Sequence, residues 1–200
     1  MAFSQELENI YQKNWKALME NVGKIKEDLK KKSVLSHAIE IATEEKQNAY
    51  ALGYQFYQQQ KYDRAMIIFT ALHAVDPLNK EFSKAHAATL QMLGNFPDAA
   101  ISFLMAYLFN PEDLELAMCA GRCMVEAKEY GQSYFILKNV LTSQKFPMTD
   151  ENRKAMESIK ELMAMSKKKA EEIGASIDKV RAKTKSGAPV GTTTAAPSEK

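Results

Sequence analysis

Apolar residues recur at helical spacing along most of this chain, and between residues 46 and 148 the spacing is itself repeated. Gly53, Ala87 and Gly121 stand at one constant interval, and Ala65, Ala99 and Ser133 keep the same interval. The aromatic series Tyr62, Phe96 and Tyr130 keeps it too, followed by Phe69, Phe103 and Leu137, while Pro77 is matched by Pro111. A unit of this length, about 34 residues, holds two antiparallel helices and two turns. Small residues at its eighth and twentieth positions let the paired backbones approach to about 8–10 Å. Large residues fill the space between pairs, and proline cannot continue the second helix. Units are expected at 46–79, 80–113 and 114–148, with helices near 46–59, 63–75, 81–93, 97–109, 115–127 and 131–143. The third unit carries Ser133 for Ala, Leu137 for Phe and Lys145 for Pro. Such departures suit a terminal repeat, which also has to close the stack.

Two arms flank the units. Upstream, residues 1–45 read as a helical arm in which Tyr11, Trp15, Leu18, Val22, Ile25 and Leu29 alternate steps of four and three. That is a heptad-like stripe, and Tyr11, Trp15, Leu18 and Val22 are candidate dimerisation residues. A second short amphipathic stretch covers 34–42. Downstream, Thr149-Asp150 offers a helix N-cap. The helix it starts, 149–184, carries an apolar stripe through Ile159, Leu162, Met163, Ala170, Ile173, Ile177 and Val180. Its first part is expected to cover the open end of the last unit, which would otherwise expose apolar surface. The Gly-, Thr- and Pro-rich segment 185–200 reads as a flexible tail.

Composition narrows the function classes. With 46% apolar and 26% charged residues the chain can bury a core, and a net charge of +2 gives no field suited to nucleic acid. The longest nearly apolar run, 99–109, is far short of the roughly 20 residues of a membrane span. No secretory signal is visible at the N-terminus, and two cysteines are too few for a disulfide framework, so a reducing cytoplasm is expected.

Catalytic constellations are scarce. His37, His73 and His86 match no metal-ligand spacing, and His86 at the seventh position of its unit reads as a satisfied core or boundary histidine. Cys119 and Cys123 share a helical face, yet no second ligand pair accompanies them, so buried thiols fit better than zinc. The eight glycines form no phosphate loop. No enzyme activity, metal or cofactor is expected.

Binding chemistry is better represented. Positions four, seven, eight and eleven of each first helix face the core, whereas two, five, nine and twelve point into the groove. In the first unit Ala49, Leu52, Gly53 and Phe56 take the core face, leaving Tyr50, Tyr54 and Tyr57 beside it. Aromatic stripes at helical spacing are ordinarily core. Here that face is already occupied, and surplus tyrosine is the composition of a recognition surface. The second unit contributes Lys84, Ala88 and Gln91, and the third Met118, Arg122 and Val125. Two cations are too few for a carboxylate clamp, so an extended segment with a few apolar anchors fits better than an acidic tail.

The period and pattern resemble those of tetratricopeptide repeats. The expected fold is therefore all-α: three such repeats in a curved solenoid, with an N-terminal helical arm and a C-terminal capping helix. More narrowly, Tyr50-Ala-Leu-Gly-Tyr54-Gln-Phe-Tyr57, then Lys61-Tyr62-Asp-Arg-Ala65, Phe69-Thr-Ala-Leu72 and Asp76 resemble the class II chaperones of bacterial type III secretion. The resemblance covers about 45–145. It implies a bacterial cytoplasmic chaperone that grips an extended segment of a hydrophobic translocator, with Tyr50, Tyr54 and Tyr57 as groove aromatics. It also implies homodimers formed through the N-terminal helices or first repeat, and in some members a transcriptional regulator as partner. A scaffold or regulatory cofactor in a protein assembly is the competing expectation. Neither reading involves nucleic-acid binding or membrane insertion.

Overall fold

A computed structural model describes residues 5–31, 43–143 and 146–185. The stretch 34–42, Lys145, the tail beyond 185 and the side chains of Tyr11, Ile177 and Val180 lie outside the described residues. Among those described there are eight helices: α1 (Gln5–Lys31), α2 (Thr43–Gln58), α3 (Tyr62–Val75), α4 (Lys80–Met92), α5 (Phe96–Phe109), α6 (Leu114–Glu126), α7 (Tyr130–Ser143) and α8 (Asp150–Lys185). Helices α2 to α7 form three stacked pairs, each packed on the next, in an all-α tetratricopeptide solenoid.

The repeated residues explain the repeated geometry. Within a pair, the eighth position faces the twenty-fourth. A Cβ added at Gly53 would come within 2.8 Å of Phe69 Cε1, and one at Gly121 within 2.6 Å of Leu137 Cδ1. In the second unit Ala87 and Phe103 are both buried. Every first helix then ends in the same turn. Gln60, Gly94 and Lys128, again one period apart, have φ of 59°, 77° and 63°. In each turn this residue and the next donate back to the helix: Gln60 to Tyr57 and Lys61 to Phe56, Gly94 to Gln91 and Asn95 to Leu90, Lys128 to Val125 and Glu129 to Met124. This double bond pattern closes a helix through one left-handed residue. Only the second unit uses glycine there.

The departures of the third unit have a partner in α8. Ser133 Oγ donates to the Gly121 carbonyl at 3.2 Å and accepts from Ser166 Oγ of α8 at 3.1 Å, and both serines are fully buried. A hydroxyl at the twentieth position thus ties the last pair to the helix that covers it. Ala155 lies one further period after Gly121, so α8 begins where a fourth first helix would, but continues unbroken to Lys185. Its N-cap is Thr149, whose Oγ1 accepts from the Asn152 N–H at 3.2 Å. Asn152 in turn caps α6, accepting from the Leu114 N–H at 3.2 Å, and donates to the carbonyls of Glu112 and Pro147.

One expectation needs correcting, and a second gains a setting. Leu52 was placed on the core face, yet it is 48% exposed. The seventh position packs on the preceding pair, as the fully buried Ala120 does, and no described helix precedes α2 in the stack. The α1 stripe is a candidate dimer seam; within this chain α1 lies against α5 and α7. Trp15 and Val22 are buried there, Leu18 and Leu29 pack beside them, and Lys26 Nζ donates to the Phe109 carbonyl at 2.7 Å. That carbonyl ends α5, where the helix dipole favours a cation. The stripe fits an apolar strip along the second helices, and Ile10 and Ile25 are left facing outward.

Lys128→Gly should raise stability by about 1 kcal/mol, the left-handed penalty of a side chain, seen as a higher midpoint in thermal or denaturant unfolding. Trp15→Ala should lower it by about 3 kcal/mol, whereas Trp15→Phe should cost far less, because the buried indole N–H has no partner among the described residues to lose.

Candidate functional site

The first helices place their fifth and ninth positions on one face, and between α2 and α4 that face forms a hollow of about 360 Å³. Tyr50, Tyr54 and Tyr57 line it from α2, Phe69 from α3, and Glu81, Lys84, Ala85 and Ala88 from α4. The tyrosine rings stand in a row, Tyr50 to Tyr54 at 6.4 Å and 13°, Tyr54 to Tyr57 at 6.4 Å and 9°. Steps of four and three along α2 produce this alignment. Tyr50 leans on Phe69 and Phe82, each at 5.7 Å, and Tyr57 meets the edge of Tyr62 at 5.3 Å. The ends of the row are thereby half-buried and braced, while Tyr54 in the middle is 48% exposed.

Burial keeps the two ends of the row neutral. Burial raises the hydroxyl pKa of Tyr50, with Glu81 and Tyr54 adding to it against Lys84. Burial does the same for Tyr57, helped by Tyr62 and Tyr54. Lys84 Nζ contacts Glu115 Oε2 at 2.6 Å. Burial works against its charge, but the hydrogen bond and charge of Glu115, with Asp113, hold its pKa above the ordinary value. The hollow therefore offers aromatic surface, phenol hydroxyls, a cation already matched by Glu115 and the further carboxylate of Glu81. Those features suit an uncharged chain with apolar side groups.

Five residues expected in the groove, Tyr50, Tyr54, Tyr57, Lys84 and Ala88, come together here. Met118 and Arg122 line a different hollow, of about 380 Å³, shared with Ser158, Glu161, Leu162 and Met165 of α8. Gln91 and Val125 are half-buried further along the first helices. Sequence reasoning missed Phe69, Glu81 and Ala85. Glu81 holds the second position of its unit and could have been found by the groove rule; Phe69 was assigned to the core, and reaches the hollow only because Gly53 opposite it has no side chain.

The histidines behave differently from expectation. His73 and His86 stack at 5.1 Å and 12° across α3 and α4. Ser83 Oγ donates to the Pro77 carbonyl at 3.2 Å and lies 3.1 Å from His73 Nδ1. His86 Nδ1 is buried and has no hydrogen-bond partner among the described residues, so it is not satisfied. Burial lowers both pKa values, and His73 lowers that of His86 further. The thiols stay protonated: burial raises Cys119, and burial and Cys119 push Cys123 up to about 11. No group of three or more His, Cys, Asp or Glu able to hold a metal occurs among the described residues.

Comparison with known proteins adds a match to a repeat family over part of the chain, and a fold. The tetratricopeptide repeat family matches residues 49–73 and 81–110. No curated protein matches the chain. Among solved structures, a type III secretion complex from Aeromonas hydrophila aligns at 21% identity and TM-score 0.60, covering 68% of this chain and 90% of that one. The Yersinia enterocolitica type III secretion chaperone SycD, in complex with a peptide of the translocator YopD, aligns at 21% identity and TM-score 0.55, covering 66% and 98%. PcrH in complex with the chaperone-binding region of PopD aligns at 19% and 0.52, covering 63% and 93%. Identities of this size establish a shared fold, that of the translocator chaperones.

Because the unfolded chain binds protons near the ordinary histidine value of about 6.5 and the stacked pair resists them, stability should be fully present above that pH and fall below it. His86→Phe should shrink the drop in thermal midpoint between about pH 7.5 and 5.5, measured by circular dichroism against the parent chain.

Proposed function

We propose that this tetratricopeptide-repeat chain, with the fold of the translocator chaperones, is itself a chaperone that holds an extended, uncharged, apolar segment of a type III secretion translocator against its first helices. The observation that carries the reading is the braced row of Tyr50, Tyr54 and Tyr57 over Phe69, facing a hollow in which Lys84 is already matched by Glu115. Rings held in place by neighbours lose little freedom on binding, so a peptide meets a preformed surface. Cargo with membrane-seeking segments aggregates through exposed apolar patches, and covering one of them removes that drive. The structures of SycD with a YopD peptide and PcrH with a segment of PopD support the choice of partner. Release then depends on competition at the groove. The setting belongs to the same proposal: a bacterial cytoplasm, before export. No helix among the described residues is long and apolar enough to cross a membrane.

Homodimer formation is also part of this reading. It cannot use Trp15 and Val22 while α1 is docked on its own chain, so a seam on α1 would draw on Ile10 and Ile25.

Co-expression with a translocator from the same genome should give a soluble complex of the two proteins, where the translocator alone precipitates. Replacing Tyr50 and Tyr54 together by Ala should weaken binding by about 2 kcal/mol or more without changing helical content. Titration calorimetry showing equal affinity for parent and variant would remove the tyrosine row from the site.

A further inference from the structure

The hollow between α6 and α8 is as large as the tyrosine one, about 380 Å³ against 360 Å³. Met118 and Arg122 lie two full periods after Tyr50 and Tyr54, so the same two repeat positions that build the first hollow also build this one. Opposite them stands α8, in register as a fourth first helix through Ala155 and fastened there by Asn152 and Ser166. It presents Ser158, Glu161, Leu162 and Met165, spaced along one helical face. The row of first helices therefore runs α2, α4, α6, α8, with a hollow at each end.

Resting on the groove reading above, we propose that the α6–α8 hollow is a second anchor site for the same extended polypeptide, one that takes a flexible aliphatic side chain. Its walls are two methionines and a leucine, which adapt to unbranched or γ-branched side chains and lack the flat aromatic faces of the first hollow. Its charges are Arg122 and Glu161, whereas the first hollow has Lys84 with the two carboxylates Glu81 and Glu115. Each hollow has a carboxylate in its lining, which opposes an acidic segment. Taking a step between successive first helices as about 10 Å, the hollows lie about 20 Å apart. An extended chain advances about 3.3 Å per residue, so the two anchors of the bound segment are about six residues apart. On this arrangement α8 selects cargo by anchor spacing as well as closing the solenoid.

The test uses the full chain and fluorescein-labelled synthetic peptides on an uncharged Ser/Gln background, read by fluorescence anisotropy. One peptide carries a single leucine, and others carry two leucines three, six or nine residues apart. The six-residue spacing should bind about tenfold tighter than the single-leucine peptide. Met165→Glu on the exposed face of α8 should abolish that gain, bringing the six-residue-spaced peptide down to the affinity of the single-leucine one. Met165→Gln, which keeps length and helix preference, should abolish most of it. If the single-leucine peptide binds and loses affinity in Tyr54→Ala, but spacing and the Met165 variants make no difference, the second anchor is overturned and the tyrosine site stands. If no peptide binds, or binding ignores Tyr54→Ala, the groove reading falls and takes this inference with it.

Discussion

The side chain at the twenty-fourth position of each unit closes over a small residue at the eighth, and the rest of the molecule depends on that contact. Where Phe69 crosses Gly53 and Leu137 crosses Gly121, a single added carbon would sit inside van der Waals distance. Helix pairs held this close can stack with a constant offset, and the offset sets which positions face inward, which face the next pair and which form the binding face. A close-packed interior transmits such geometry because it has few voids to absorb a shift. The same contact brings the Phe69 ring through to the tyrosine hollow, so one packing rule serves both core and site.

A stack of identical pairs has two ends, and the chain treats them differently. At the C-terminal end α8 is fastened by polar groups: buried Ser133 and Ser166 pair with each other, and Asn152 supplies the cap that α6 lacks. Buried hydrogen bonds of this kind fix a register that apolar contact alone would leave free to slide. At the other end the packed face of α2 remains open in the described structure, with Leu52 exposed and a largely apolar hollow of about 280 Å³ between α2 and α3 that includes Ile67 and Ala71. The second-helix side is covered over its middle by α1, whose tryptophan stripe is matched to α5 and α7. A capped end, a strapped side and an open face of first helices leave the tyrosine row as a braced aromatic surface in solvent.

Charge has a restraining role in this design. Lys84 and Arg122 occupy neighbouring rows of the first helices; Glu115 is bonded to Lys84, and Glu161 shares the α6–α8 hollow with Arg122. Carboxylates set beside the cations of such a row weaken its pull on acidic chains. The stacked His73 and His86 sit behind that row, between the first two pairs, and the unpartnered nitrogen of His86 is a cost the interface carries. Burial lowers the pKa of both rings, so acid works against the junction of the first and second units.

The periodic series of small, aromatic and proline residues determined the number of pairs, the helix boundaries to within a turn and the side of α2 on which the tyrosines stand, because these are local or periodic properties that a chain carries in its spacing. Even the turns are periodic, although Gln60 and Lys128 hide it by taking a glycine's backbone angle with other side chains. What only the tertiary structure decided is which surface each amphipathic stripe meets. A stripe such as that of α1 states that it must be covered and leaves open whether by a second copy or by α5 and α7. Likewise Ser133 reads as a flaw in its series until Ser166 lies against it, and His86 as an ordinary boundary residue until His73 stacks upon it. Neither pair is separated by a whole number of periods, so no regularity of spacing announces the contact, and only folding brings the partners together.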